Sequence, residues 1–523
     1  MKKNYILVAI IVVIFASFSL LSSENSEREF STSTRALPLA ISTHVVDLKD
    51  GDTIDLTASF VKKNINGKEV RMLAYNGSIP GPTIKVSQGA TIIVNFKNDT
   101  DIANTLHSHG VRMKNEFDGV PDVTQKIVPI GGSFAYTLSF PDAGAYWYHP
   151  HVRDDYAIEM GLYGNFLVTP KAGSSWNLVD REVPIFVDDI LLTNGKIAPF
   201  KKDGADRTLM GRYGNTMFVN GETDYSLNVK RGEVVRFYFT NSANTRPFNI
   251  AIKNAKLKLV GGDSGLYERD SWVDAVMINP SERAIVEVLF GTAGEYVLQN
   301  KTPDKTYTLG KIVVSGEQVV SEIGRSFSTL RAHPEVIKSI DQFRTSFNSP
   351  HQRRIKLSVD MMGGSGTTVG HMMPGGTMMA GNMSMNAGIP KGGIEWEDTD
   401  MSAKNMMSDT RMVKWNITDE DTGKKNMDID WSFKRGPVKI RITNDASSMH
   451  PMQHPIHFHG QRFLVTNKNG VSQTNLVWKD TLLVPAGEYV DIILDASNPG
   501  TWMAHCHILE HIEAGMMFAF NVE

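Results

Sequence analysis

Three stretches of this chain repeat one pattern: Gly89 to Asn98 (GATIIVNFKN), Gly232 to Asn241 (GEVVRFYFTN) and Gly436 to Asn444 (GPVKIRITN). Each opens on a turn-forming glycine, runs through β-branched and aromatic residues and stops at an asparagine, the signature of a turn followed by a strand. A second unit follows each copy and again begins with glycine: Gly144 to His151 (GAYWYHPH), Gly294 to Lys301 (GEYVLQNK) and Gly500 to His507 (GTWMAHCH). Recurrence at this spacing means three similar domains rather than one large core. Between the repeats lie further short strand-like runs such as Ser133 to Phe140, separated by Gly, Pro and Asp turns, which predicts an all-β sandwich or barrel.

The repeats divide the 523 residues into domains at 41–171, 172–316 and 355–523. A polar connector at 317–354 carries Ile, Leu and Phe at a spacing that supports a helix, and a Gly- and Met-rich insertion at 361–412 lies inside the third domain. At the other end, Met1-Lys2-Lys3 precedes an apolar run from Tyr5 to Leu21, so residues 1–23 read as an export signal or an uncleaved anchor. Residues 24–40 read as a flexible tether, and the folded part is expected in the periplasm or outside the cell, with membrane anchoring as the alternative. A net charge of -3 with no long basic run excludes a dedicated nucleic-acid surface. Small molecules or ions are the expected partners, no obligate protein partner is called for, and a monomer is expected.

The second repeated unit separates the domains chemically. The positions that hold His149 and His151 in the first copy and His505 and His507 in the third hold Gln299 and Lys301 in the second. No histidine occurs between His151 and His333, so the middle domain is expected to act as a spacer without metal ligands. In the outer domains the histidines form four His-x-His pairs: His107/His109, His149/His151, His457/His459 and His505/His507. Fifteen histidines placed at random would give roughly half of one such pair. On extended backbone each pair aims both imidazoles the same way, so eight rings from two domains can meet at one interface.

The single cysteine, Cys506, lies between two of these histidines. It cannot form an internal disulfide, and strand alternation turns it away from His505 and His507, toward a second site. With His454, His511 and Met516 it supplies two imidazoles, a thiolate and a thioether, the ligand set of a blue-copper electron-transfer site. Structural zinc would use several cysteines.

On these motifs the chain resembles the multicopper oxidase family, specifically its three-domain bacterial laccase-like and cuprous-oxidase members. His107-Ser-His109-Gly110, Tyr148-His149-Pro-His151, His454-Pro-Ile-His457-Phe-His459-Gly460 and His505-Cys-His-Ile-Leu-Glu-His511 through Met516 match all four copper motifs. The resemblance implies three consecutive cupredoxin-like Greek-key β-barrel domains holding four copper ions. It assigns His454, Cys506, His511 and Met516 to type 1 copper, and His107 and His457 to type 2. The type 3 pair falls to His109, His149 and His507 on one ion and His151, His459 and His505 on the other. Electrons from a donor would pass through Cys506 to the three-copper cluster and reduce dioxygen to water.

Water formation needs protons, and Asp118 matches the family's acidic residue. The chain departs from several bacterial relatives just after the type 1 histidine, where they carry glutamate and this sequence has Ile512 between Glu510-His511 and Glu513. Cuprous-oxidase members also place a Met-rich insertion in the region of residues 361–412. Thioether sulfur favours Cu(I), so the tract could collect cuprous ions. The resemblance implies a substrate site at Met452, which matches a methionine of those members, and at His450, which stands where they have aspartate, with Asp360 and Met361 at the start of the tract as further candidates. The expected function is therefore oxidation of Cu(I), with a role in copper tolerance and with phenols as further donors. A phenol-oxidising laccase and a non-catalytic copper-sequestering protein are the alternatives. His44, His333 and His351 have no partner pattern and are expected at the surface.

Overall fold

The computed structural model describes residues 29–174, 176–319, 322–361, 389–398 and 401–523. The apolar leader and the part of the Met-rich tract from Met362 to residue 388 lie outside these. Among the described residues no helix is long and apolar enough to cross a membrane.

The described residues form three pairs of β-sheets and one two-stranded ribbon, Leu192–Thr193 with Lys196–Ile197. Each copy of the first repeat becomes a strand in one sheet of its domain, and its neighbours recur. Thr91–Asn98 lies parallel to Thr53–Ile65 and antiparallel to Ser133–Ser139. Val234–Asn241 lies parallel to Arg181–Ile190 and antiparallel to Arg283–Leu289. Gly436–Asn444 lies parallel to Arg353–Met361 and antiparallel to Tyr489–Ala496. The second repeat enters the facing sheet each time, as Gly144–His149, Gly294–Lys301 and Gly500–Cys506. The sequence resemblance implies barrels, but the two sheets of each domain stay open and share no ladder. Some edges are short strands, such as Val45–Asp47 and Val471–Ser472, and others, such as Lys68–Tyr75 and Gly265–Val273, are long. The result is a Greek-key sandwich.

The asparagine that ends each repeat has a common role. Asn98 donates from its amide to Ile102 O (2.9 Å) and Val128 O (3.2 Å). Asn241 donates to Arg246 O (2.8 Å) and Ile278 O (3.0 Å), and Asn444 to Met452 O (2.7 Å) and Val484 O (3.0 Å). All three are buried, and Ile278 and Val484 belong to strands of the opposite sheet. A buried amide that satisfies two carbonyls pins one layer to the other, and an aliphatic residue there would remove these two donors.

The connector is helical where its pattern suggests, at Glu322–Ser326 and Pro334–Asp341. Ile340 and Phe343 pack on Leu464, Trp478 and Ile493 of the third domain. His333 is buried rather than at the surface, with Nε2 2.9 Å from Asp270 Oδ1, because the connector folds back over the second domain. His351 is half-buried against Asp491, and His44 is exposed. From Glu29 onward the expected tether lies on the body: the Phe30 ring stacks on Tyr156 at 3.9 Å, and Ala40 N–H donates to Lys62 O.

Gly161, at φ +114, closes the turn after the helix Asp154–Ala157, and a Cβ there would lie 2.5 Å from Leu73 O. Gly161→Ala is expected to cost about 1 to 3 kcal/mol. Calorimetry should show a lowered unfolding temperature, whereas Gly291→Ala, with nothing within 4 Å of its Cβ, should leave the temperature unchanged or slightly raised.

Candidate metal centre

In the first domain the strand His107–His109 runs antiparallel beside Gly144–His149, with His107 opposite His149. In the third, His454–Phe458 runs antiparallel beside Gly500–Cys506, with His457 opposite His505 and Ile456 opposite Cys506. Cross-strand neighbours on one face are close enough for their side chains to meet. Each outer domain therefore presents two adjacent His-x-His pairs, and the two domains face one another.

All eight rings are buried, His151 the most exposed at 7%. Rings from different domains approach closely: His109 and His457 stack at 3.7 Å, His107 and His459 lie 4.1 Å apart, and His151 and His505 5.3 Å apart. Burial, then repulsion among neighbouring rings, pulls most of these imidazoles well below their ordinary pKa, with His505 down to about 4 mainly through burial. A lowered pKa favours the neutral ring, the form that binds metals.

The hydrogen bonds choose which nitrogen faces inward. Nδ1–H donates to Asp118 O from His107 (2.6 Å), to Pro150 O from His149 (2.7 Å), to Asp480 O from His457 (2.8 Å) and to Cys506 O from His505 (2.7 Å). His459 Nδ1–H donates to Asp118 Oδ2 at 2.9 Å. His109 is reversed: its Nε2 faces Asp480 Oδ1 at 3.0 Å and Ser281 Oγ at 2.8 Å. In return, the Nε2 atoms of His107, His149, His151, His457 and His507 are buried and have no partner among the described residues. Each unsatisfied buried polar atom costs about 1–3 kcal/mol, so five together rival the whole stability of a domain. Their convergence, with three-ligand groupings at His107/His109/His149, His107/His457/His459 and His151/His459/His505, fits a cluster of metal ions.

Across the strand from His505, Cys506 enters the core of the third domain. Its Sγ lies 3.5 Å from His454 Nδ1 and 3.8 Å from His511 Nδ1, and those two nitrogens are 3.3 Å apart. Burial raises the Cys506 thiol, so the thiolate needs a cation to exist there, and Ile508 N–H points at the sulfur from 3.4 Å. Met516 is fully buried in the same cluster, with its carbonyl accepting from Cys506 N–H at 3.1 Å. Trp415 stacks on His511 at 4.2 Å and meets His454 edge-on at 4.8 Å. This donor set suits copper and leaves His454 only 1% exposed.

Asp118 is fully buried, with Oδ2 on His459 and Oδ1 without a hydrogen-bond partner among the described residues. His450 is also buried, neither ring nitrogen having a hydrogen-bond partner among the described residues, and its ring is 6.5 Å from Trp415. Met452 is buried in the same core. Asp360, by contrast, is exposed and already engaged by Lys425 Nζ at 3.1 Å and Asn416 Nδ2 at 2.9 Å, while Met361 packs on the core edge. Glu510 turns to the second domain, accepting from Asn244 and Thr245, and burial pushes it up to about 8. Ile512 packs with Val120 and Met503. Glu513, pushed up to about 7 by burial and then by Asp155, lines a cavity of about 220 Å³ with His151 and Asp154.

Sequence reasoning missed Asp480 and Trp415. Neither carries a spacing signal, since Asp480 sits in Trp478-Lys479-Asp480-Thr481 and becomes important only when its strand Thr481–Val484 pairs with His454–Phe458.

Family models described as multicopper oxidase match residues 58–173, 171–317 and 397–523. The chain is 26% identical over 499 residues to the multicopper oxidase MmcO of Mycobacterium tuberculosis, covering 89% of this chain and 86% of that one. It is 26% identical over 508 residues to laccase-7 of Arabidopsis thaliana, covering 86% and 88%. The structure of a multicopper oxidase from Campylobacter jejuni, described as a metallo-oxidase, superposes with a TM-score of 0.66 at 23% identity, covering 94% of this chain and 99% of that one. With its buried histidine cluster, its lone thiol between two rings and matching family models along most of its length, this chain belongs to the multicopper oxidase family, the copper-dependent oxidoreductases that use dioxygen as acceptor.

Proposed function

We propose that the chain oxidises Cu(I) by one-electron steps, in an exported copper-tolerance role, and passes the electrons to dioxygen. In this reading His454, Cys506, His511 and Met516 hold type 1 copper, and His107 and His457 hold type 2. His109, His149 and His507 hold one type 3 ion, and His151, His459 and His505 the other. Bound copper supplies one-electron acceptance at the thiolate and dioxygen reduction among the histidines. The protein supplies the link, because Cys506 joins His505 and His507 through its own peptide units and its carbonyl accepts from the His505 ring. It also supplies protons through Asp118, whose Oδ2 meets His459 Nδ1 at 2.9 Å and whose Oδ1 lies 3.4 Å from His107 Nδ1, so the carboxylate faces a ring from each outer domain.

The observation that carries the cuprous reading is His450. An imidazole four residues before His454, buried and with neither ring nitrogen hydrogen-bonded among the described residues, is a costly arrangement that a soft cation would relieve. Burial, and then Lys404, pulls it down to about 4, so it is neutral and ready to ligate. The described limb of the insertion adds exposed Met406, Met407 and Met412. Asp360 fits less well, since Lys425 already occupies it.

A phenol donor is the second reading, favoured by one feature. A cavity of about 480 Å³ between the second domain and the insertion is lined by Tyr213, Tyr307, Met217 and Met406, and the Tyr213 hydroxyl is 3.4 Å from Gln453, the residue before His454.

Excising residues 365–386 tests the donor while sparing Asn405 and Ser408, which tie the insertion to Met210 and Leu209. Oxygen uptake should show kcat/KM falling at least tenfold for Cu(I) and staying nearly constant for a phenol, and equal losses would reject the cuprous role. Cys506→Ser should abolish the blue absorption and oxygen uptake with every donor while copper at the histidine cluster persists, as metal analysis would show. Asp118→Asn should keep the blue absorption but slow dioxygen turnover by about 10²- to 10⁴-fold, measured by stopped-flow reoxidation.

A further inference from the structure

The middle domain carries no candidate copper ligand, yet two of its side chains reach the cluster. Arg283, wholly buried, donates from Nη1 to Asp480 Oδ1 at 2.7 Å and from Nη2 to Asp480 Oδ2. Its Nε donates to Ala145 O (2.9 Å) at the start of the strand that carries His149, and Nη1 also donates to Ser281 O (3.0 Å). One guanidinium thus joins all three domains. Asp480 in turn accepts from His109 Nε2 through Oδ1 and from His457 Nδ1 through its backbone carbonyl, so it holds one ring from each outer domain. Ser281 Oγ lies 2.8 Å from His109 Nε2 and 3.4 Å from its Nδ1, and Thr481 Oγ1, which donates to Asp480 Oδ1, also lies 3.1 Å from His109 Nε2 and 3.2 Å from His457 Nδ1.

We propose that Ser281, Arg283 and Asp480 act as one positioning unit, through which the ligand-free second domain fixes the tautomer of His109 and the relative placement of His109 and His457. The unit rests on the assignment of those two rings as copper ligands. With Nε2 facing a carboxylate, His109 carries its proton there and offers Nδ1, the reverse of His107, His149 and His457.

Two local costs argue that this is more than domain glue. Ser281 adopts φ +76, a left-handed conformation in which glycine would be relaxed, and keeps a hydroxyl that touches His109. Gly110, directly after His109, sits at φ +81, where a Cβ would lie 2.3 Å from Asp480 Oδ2 and 2.8 Å from Arg283 Nη2. The chain thus spends a strained serine and an obligatory glycine on this contact. A fully buried ion pair adds little net stability over an apolar one, whereas it does specify geometry.

Ser281→Gly, Asp480→Asn and Arg283→Lys in the copper-loaded protein test the proposal. The readouts are copper content, blue absorption, the electron paramagnetic resonance of the type 3 pair, thermal unfolding and reoxidation by dioxygen. The unit predicts retained blue absorption, a type 3 pair that is no longer spin-coupled and so becomes detectable, and reoxidation slowed about 10- to 100-fold in Asp480→Asn and Arg283→Lys. The double variant should be no worse than the poorer single one, because the residues act together. Ser281→Gly is decisive between roles: a turn-forming serine would gain stability and leave the pair silent, whereas a positioning serine yields a detectable pair with unfolding temperature maintained or raised. Silent pairs with normal reoxidation in all three variants would overturn the proposal, as would loss of blue absorption in step with the cluster. Failure of the wild-type protein to show a silent pair would instead refute the ligand assignment.

Discussion

Two antiparallel pairings, His107 opposite His149 and His457 opposite His505, set the positions from which the rings reach the cluster. A slip of one residue in either ladder would turn both histidines of a pair to the other face. In the third domain it would also exchange His505 with Cys506, scrambling two sites at once. The flanking sheets make such a slip costly: Ala504 opposite Phe518 and Ile456 opposite Leu482 bury apolar side chains that would be forced into the polar interface. Hydrophobic register and ligand geometry are therefore the same constraint.

The price of this arrangement is a buried polar interface between domains. Neutral rings, two carboxylates and one guanidinium sit where an ordinary interdomain contact would be apolar or wet. Each group is either hydrogen-bonded to a carbonyl, carboxylate or hydroxyl or left with one inward nitrogen, and the exceptions cluster where copper belongs. The second domain matters because such an interface has no slack. Arg283 and Asp480 replace solvent with fixed partners, and the domain's loop residues Leu209, Met210 and Tyr213 pack into the third domain's core beside Cys506 and Met516. A spacer in the sequence becomes a wall of both sites in the fold.

The sequence reveals what depends on short-range pattern. Three glycine-to-asparagine strands, four His-x-His pairs and a lone cysteine announce the domains and the donor types, because strand periodicity carries directly into side-chain direction. Other features arise only when distant segments meet. Asp480 lies 371 residues from His109, and nothing about a Lys-Asp-Thr segment marks it beforehand. The same holds for Trp415 over His511, and for His333, whose burial depends on the connector folding against Asp270. Asp360 shows the converse: its composition suggests a ligand, but a neighbouring strand supplies Lys425 to neutralise it.

In the proposed mechanism Cys506 feeds electrons to a histidine cluster that reduces dioxygen completely. The most direct measurement is the ratio of Cu(I) consumed to dioxygen consumed in an anaerobically prepared, copper-loaded sample, with hydrogen peroxide assayed in parallel. Four electrons per dioxygen and no released peroxide are expected. A two-electron ratio with stoichiometric peroxide would contradict that mechanism.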